Sequence, residues 1–119
     1  MLVKLRFFSR EELLQSGGKP QTLPPNLEGN LIALAIALDS FRHWWGRPIR
    51  VTSGYRTPEH NAAIGGVPNS AHTRALAADC YSEPFNEFCK FCQQWWPGGC
   101  GIYKGHVHLD LEPYRRWRV

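Results

Sequence analysis

The apolar positions Leu27, Leu31, Leu34, Leu38, Phe41 and Trp45 recur at steps of three and four, which places them on one face of a helix. Asn26 stands where a capping residue belongs, and Gly46 and Pro48 end the pattern. Upstream, Ser9-Arg-Glu-Glu12 has the form of a capping box and predicts a short helix through Leu13 and Leu14. Gly17, Gly18 and Pro20 stop it, and the stretch to Pro25 reads as a loop. Ile49 to Ser53 alternates with β-branched residues and predicts a short strand, turned by Gly54. Thr57-Pro58-Glu59 opens a short helix with Pro at its first position, ending near Gly65 and Gly66. Ala75 to Tyr81 is Ala-rich and fits either strand or helix. Pro84 opens a further helix with an apolar face of Phe85, Phe88, Cys89, Cys92 and Trp96, broken by Pro97-Gly98-Gly99. Gly101 to Tyr103 and His106 to Leu111 then read as a hairpin across Lys104-Gly105.

These elements imply an α+β fold: a small, mainly antiparallel sheet with the 26–45 helix packed on its back. A chain of 119 residues supports one core, so a single, monomeric domain over residues 1–119 is expected. The longest apolar run, Leu31 to Leu38, falls far short of the roughly 20 residues of a membrane span, which excludes membrane insertion through a helix. Met1 to Ser9 is broken by Lys4 and Arg6 and has no small-residue cleavage site, so no secretory signal is expected and synthesis in a cytoplasm is.

The net charge of +4 suits an acidic partner, whether nucleic acid, anionic lipid or an anionic wall polymer. The one dense basic group, Arg115, Arg116 and Arg118 around Trp117, reads as a solvated tail; no nucleic-acid recognition motif accompanies it. Cys89-Lys90-Phe91-Cys92 is a single C-x-x-C flanked by Cys80 and Cys100. A zinc ribbon needs two such pairs, so the four thiols read first as small buried residues.

The informative residues are His72, Asp79, His106 and His108. His106 and His108 share one face of a strand because side chains alternate with period two. Two imidazoles on one buried face are costly unless something uses them, and a metal ion is the usual reason. His72 and Asp79 offer a further nitrogen and oxygen, a donor set that zinc accepts. A catalytic zinc keeps three protein ligands, so a fourth group is left over for proton transfer.

Ser70-Ala-His72-Thr-Arg-Ala75-Leu-Ala77-Ala-Asp79 resembles the Ser-x-His-x-x-Gly-x-Ala-x-Asp motif of zinc D-Ala-D-Ala carboxypeptidases, a group that also includes lysostaphin-type peptidases and the hedgehog domain. The resemblance takes in Pro48-Ile-Arg-Val-Thr-Ser-Gly-Tyr-Arg56-Thr-Pro-Glu-His-Asn61, Gly105-His-Val-His-Leu-Asp110 and Arg115-Arg-Trp117, and spans about residues 23–117. It implies the fold of that group, zinc as cofactor and peptidoglycan stem peptides as substrate. It further implies His72, Asp79 and His108 as metal ligands, His106 as the catalytic residue, Arg56 as a catalytic and substrate-binding cation, and Ser70 as a substrate contact. Two departures are visible. Ala75 stands where the pattern has Gly, and Gly105 stands where some relatives carry a catalytic Glu, which puts more of the proton transfer on His106. Asp110 fits either an orienting partner for an imidazole or a solvated charge.

The reading that follows is a zinc peptidase of the cell wall, either a carboxypeptidase or an endolysin-type endopeptidase, reaching its substrate after release through a partner pore. The alternatives are a non-catalytic, zinc-stabilised wall-binding module and a small nucleic-acid-binding protein. A spare His106 beside the ligands favours the enzyme.

Overall fold

The computed structural model describes residues 4–119, so the first part of the Met1–Ser9 segment lies outside the described residues. Helix α1 (Arg10–Leu13) carries the expected capping box: the Ser9 hydroxyl accepts from the Glu12 N–H, and the Glu12 carboxylate accepts from the Ser9 N–H. Strands β1 (Gln15–Ser16) and β2 (Lys19–Pro20) follow where a loop was expected. Gly17 and Gly18 both take positive φ, at 58° and 84°, the geometry of a tight two-residue hairpin.

A single 3-10 turn, Pro25–Leu27, leads into α2 (Glu28–Trp45). The helix therefore starts later than Asn26 suggests; Leu27 holds the capping position and makes no side-chain bond. Gly46, with φ 82°, closes the helix in the left-handed conformation that glycine adopts most easily. Next come β3 (Arg50–Ser53), α3 (Pro58–Ala63) capped by the Thr57 hydroxyl, a 3-10 turn over Ala71–Arg74, and β4 (Ala77–Tyr81). The Ala-rich segment is thus strand. Helix α4 (Phe85–Trp95) leads to β5 (Gly99–Ile102), β6 (Val107–Asp110) and β7 (Arg115–Arg118).

The strands form one sheet in the order β2-β1-β3-β4-β6-β5-β7, antiparallel throughout except for the parallel β5–β7 pair. The fold is α+β, as expected. β7 is the clearest departure, because the segment is a strand and its half-buried Arg116 is not a solvated charge. Arg116 donates to the carbonyls of Gln93 (2.8 Å), Gly98 (2.6 Å) and Trp96, and so ties the strand to the end of α4.

The period of two along β4 and β6 divides the molecule. Ala78, Cys80, Val107 and Leu109 point into the core with Leu31, Leu34, Ala35 and Leu38 of α2 and Phe88 and Cys92 of α4. All ten are fully buried. The alternate residues, Asp79 and His108, face the other side of the sheet, away from the helices. Among the described residues, no helix is long and apolar enough to cross a membrane.

Candidate metal centre

The sheet register sets up the site. Ser53 on β3 pairs with Asp79 on β4, Asp79 with His108 on β6, His108 with Gly101 on β5, and Gly101 with Trp117 on β7. This row runs across five strands on the face opposite the helical layer. His72 joins it from the 3-10 turn that precedes β4. The Ser70 hydroxyl caps this turn by accepting from the His72 N–H at 3.2 Å. Ser70, half-buried at the cleft wall, thus orients the backbone of a neighbouring imidazole.

Ala75 closes the same turn in a left-handed conformation, φ 57° and ψ 34°, and is fully buried. This explains why a Gly suits that position in the resembled motif: only glycine adopts the conformation without a Cβ penalty.

Two imidazoles converge on one carboxylate oxygen. His72 Nε2 and His108 Nδ1 each lie 3.1 Å from Asp79 Oδ1. Their other nitrogens are already engaged. His72 Nδ1 is 2.8 Å from the Gly54 carbonyl, which can only accept, so Nδ1 carries the hydrogen. His108 Nε2 is 2.8 Å from Asp110 Oδ2 and donates to it. In the neutral tautomers this leaves two imidazole lone pairs aimed at a carboxylate oxygen, an arrangement that needs positive charge between them. One ligand atom from each of His72, Asp79 and His108 lies within 4.8 Å of the others, and among the described residues these three are the group able to hold a metal ion. Two nitrogens and one oxygen, each imidazole backed by a carbonyl or carboxylate, suit zinc and leave a position open.

The electrostatics agree with this donor set. Without an ion, protons take the place of that positive charge: burial disfavours the ionised Asp79 carboxylate, but donation to it from His108 and His72 outweighs burial and holds its pKa well below the usual range. Burial likewise disfavours a charged His108, yet its bonds to Asp110 and Asp79 raise the metal-free pKa to about 9. Asp110 is 1% exposed and is an orienting partner, not a solvated charge. Its second oxygen accepts from the Gly99 N–H at 3.1 Å and the Glu112 N–H at 3.0 Å.

His106 stands beside this group and ahead of β6. Its Nε2 is 3.7 Å from Asp79 Oδ2. Its side chain is 32% exposed, against 3% for His72 and 12% for His108, so it is the most open imidazole of the three. Burial lowers its pKa from the ordinary imidazole value, with Asp79 opposing and His108, His72 and Arg56 reinforcing. A neutral imidazole at the cleft is a proton acceptor.

Arg56 follows β3 and bridges three groups. Nε donates to Ser53 Oγ at 3.2 Å, Nη1 to Asn61 Oδ1 at 3.1 Å and Nη2 to Asp79 Oδ2 at 3.3 Å. Asn61, Ser53 and Asp110 were not among the sequence-predicted site residues. Asp110 had a legible signal, because it lies two positions from His108 on one strand; Asn61 had none beyond falling inside a matching segment. Arg56, His72, Asp79, His106, His108 and Asp110 line an open cleft of about 630 Å³.

The four cysteines lie elsewhere. Cys80, Cys89, Cys92 and Cys100 are free and buried, and burial raises the pKa of each thiol.

A family model described as Peptidase M15 matches residues 6–110, which covers every strand and helix named here except β7. No curated protein matches the chain.

Proposed function

Because the chain belongs to the M15 family of zinc D-Ala-D-Ala carboxypeptidase-like peptidases, we propose that it is a zinc-dependent hydrolase of peptidoglycan stem peptides. The observation that carries this reading is the convergence of His72, Asp79 and His108 at the floor of an open cleft, with an uncommitted His106 at their edge.

His72, Asp79 and His108 would hold the ion through Nε2, a carboxylate oxygen and Nδ1. When bound, zinc supplies Lewis acidity, polarising a carbonyl and acidifying water. The remaining chemistry belongs to the chain. His106 accepts a proton from the attacking water and returns it to the leaving amine, which needs a neutral imidazole reachable from the cleft. Arg56 has five N–H groups and uses three on Ser53, Asn61 and Asp79, leaving two for a substrate carboxylate or a developing oxyanion. Asp110 and the Gly54 carbonyl fix the tautomers of the two ligand imidazoles and keep their free nitrogens aimed inward.

Digestion of purified peptidoglycan, with mass spectrometry of the new termini, tests the reading. Zinc-loaded protein is expected to release termini at a stem-peptide bond, a chelator to stop the release and zinc to restore it. Zinc-loaded protein that binds walls but generates no new terminus would make the wall-binding module the better reading.

A further inference from the structure

We propose that Tyr103, fastened by Trp117, is a positioning residue for His106; this rests on the catalytic reading of His106 given above. The Tyr103 and His106 rings stack face to face, with centroids 4.7 Å apart and planes 9° from parallel. The hairpin turn between them is closed by the Tyr103 N–H donating to the His106 carbonyl at 3.0 Å, which brings both side chains to the same place. The stack covers one face of an imidazole that makes no side-chain hydrogen bond among the described residues and stands 3.7 Å from Asp79 Oδ2. Among the described residues, Tyr103 is the aromatic ring stacked on His106.

Tyr103 is itself held from β7. Trp117 Nε1 donates to the Tyr103 hydroxyl at 3.2 Å. The indole reaches this position by lying across Gly101, where a Cβ would sit 2.2 Å from ring carbon Cε2. The same indole touches His108, with ring centroids 5.4 Å apart, and carries the Arg115 guanidinium 4.3 Å from its own centroid. One aromatic row therefore runs from β7 to His106. Its outer member comes from beyond residue 110, where the match to the family model ends. The parallel strand β7 thus takes part in holding His106 through Trp117.

A proton-transfer group gains its rate advantage from a held geometry, and a displacement of about 1 Å can cost about 100-fold. Tyr103→Leu removes the stack and should lower kcat by about 10- to 100-fold, with KM and zinc content close to wild type. Tyr103→Phe keeps the ring but loses the bond from Trp117, and should fall between wild type and Tyr103→Leu. In a His106→Ala background, Tyr103→Leu should cost nothing further, because the group it positions is gone. An equal loss in both backgrounds, or an unchanged kcat in Tyr103→Leu, would overturn the proposal.

A measurement without substrate stands beside the kinetics. The ring C–H resonances of His106 should lie upfield in wild type and in Tyr103→Phe, through the ring current of the stacked face, and return downfield in Tyr103→Leu. Absence of that shift in wild type would refute the stack even if the enzyme is active. A clear shift in a protein that cleaves no wall peptide would leave the stack standing and remove the catalytic reading instead.

Discussion

Arg56 Nη2 donates to Asp79 Oδ2 at 3.3 Å, while Asp79 Oδ1 is the oxygen that faces both ligand imidazoles. One carboxylate is thus shared between a cation that orients it and the place of a metal ion. Lysine cannot reproduce this, since a single ammonium does not span Ser53, Asn61 and Asp79 as the guanidinium fork does. Arg56→Lys is therefore expected to behave almost like Arg56→Ala, with kcat/KM lower by about 100-fold, the scale of one lost oxyanion donor. Zinc should be retained, because no ligand is removed. Kinetics and metal content on the same preparations check this, and full activity in Arg56→Lys would reduce the role of Arg56 to that of a point charge.

His106 and His108 separate cleanly by substitution although they are two residues apart. His108→Ala should lose both zinc and cleavage, since it removes Nδ1 from the ligand group. His106→Ala should keep zinc and lose cleavage by about 100- to 10,000-fold, the range of a general acid–base group. Metal analysis beside a peptide-cleavage assay distinguishes them. Wild-type turnover in His106→Ala would end its assignment as the proton carrier.

The metal-free protein should lose stability as pH rises from about 6.5 toward 9. Burial opposes charging His108, but Asp110 and Asp79 outweigh it and raise its folded pKa to about 9, above the ordinary imidazole value. A raised folded pKa gives stability that is fully present below the unfolded pKa and is lost as pH climbs through the folded one. Between pH 6.5 and 8.5 the loss is roughly 2 kcal/mol, at about 1.4 kcal/mol per unit. The window stops at 8.5 because the buried thiols act in the same direction above it; burial pushes Cys100, for example, up to about 11. Thermal melts in chelator should show Tm falling by several degrees across this window. Zinc displaces the Nδ1 proton and should flatten the slope, as should His108→Ala. A metal-free Tm independent of pH would contradict the hydrogen bonding drawn around His108.

The α2 stripe and the final hairpin were legible because each rests on a local period, whereas the grouping of His72, Asp79 and His108 was an implication of motifs resembled in separate segments. Leu31, Leu34 and Leu38 need only a 3.6-residue repeat, and His106 and His108 only a two-residue one. The β1–β2 hairpin was hidden because Gly17-Gly18 reads equally as a helix stop and a tight turn, and only two residues pair on each side. β7 was hidden because Arg115, Arg116 and Arg118 look like surface charge. What makes them a strand is the parallel pairing with β5 and the three carbonyls that receive the Arg116 guanidinium, both distant in sequence. The bond that joins Arg56 to Asp79, and the part Ser53 and Asn61 take in it, was illegible for the same reason: Arg56 and Asp79 were singled out separately, and only the sheet register brings Ser53 beside Asp79.

Gly99 supplies a test of the site that touches no ligand. A Cβ at this position would lie 2.4 Å from Asp110 Oδ1 and 2.6 Å from Oδ2, so the carboxylate must move or turn. Asp110 orients His108 through Nε2 at 2.8 Å, and the Gly99 N–H is one of the two amides that hold Asp110 in place. Gly99→Ala is thus expected to weaken zinc affinity by about 10- to 100-fold, as loss of an outer partner of a ligand histidine does. Asp110→Asn should match it in affinity, because an amide replaces the charged acceptor of the His108 N–H. The double variant should cost little more than either single one, since both act through the same imidazole. Competition against a metal indicator dye measures all three. Additive losses in the double variant would mean that Gly99 reaches the site by a route other than Asp110.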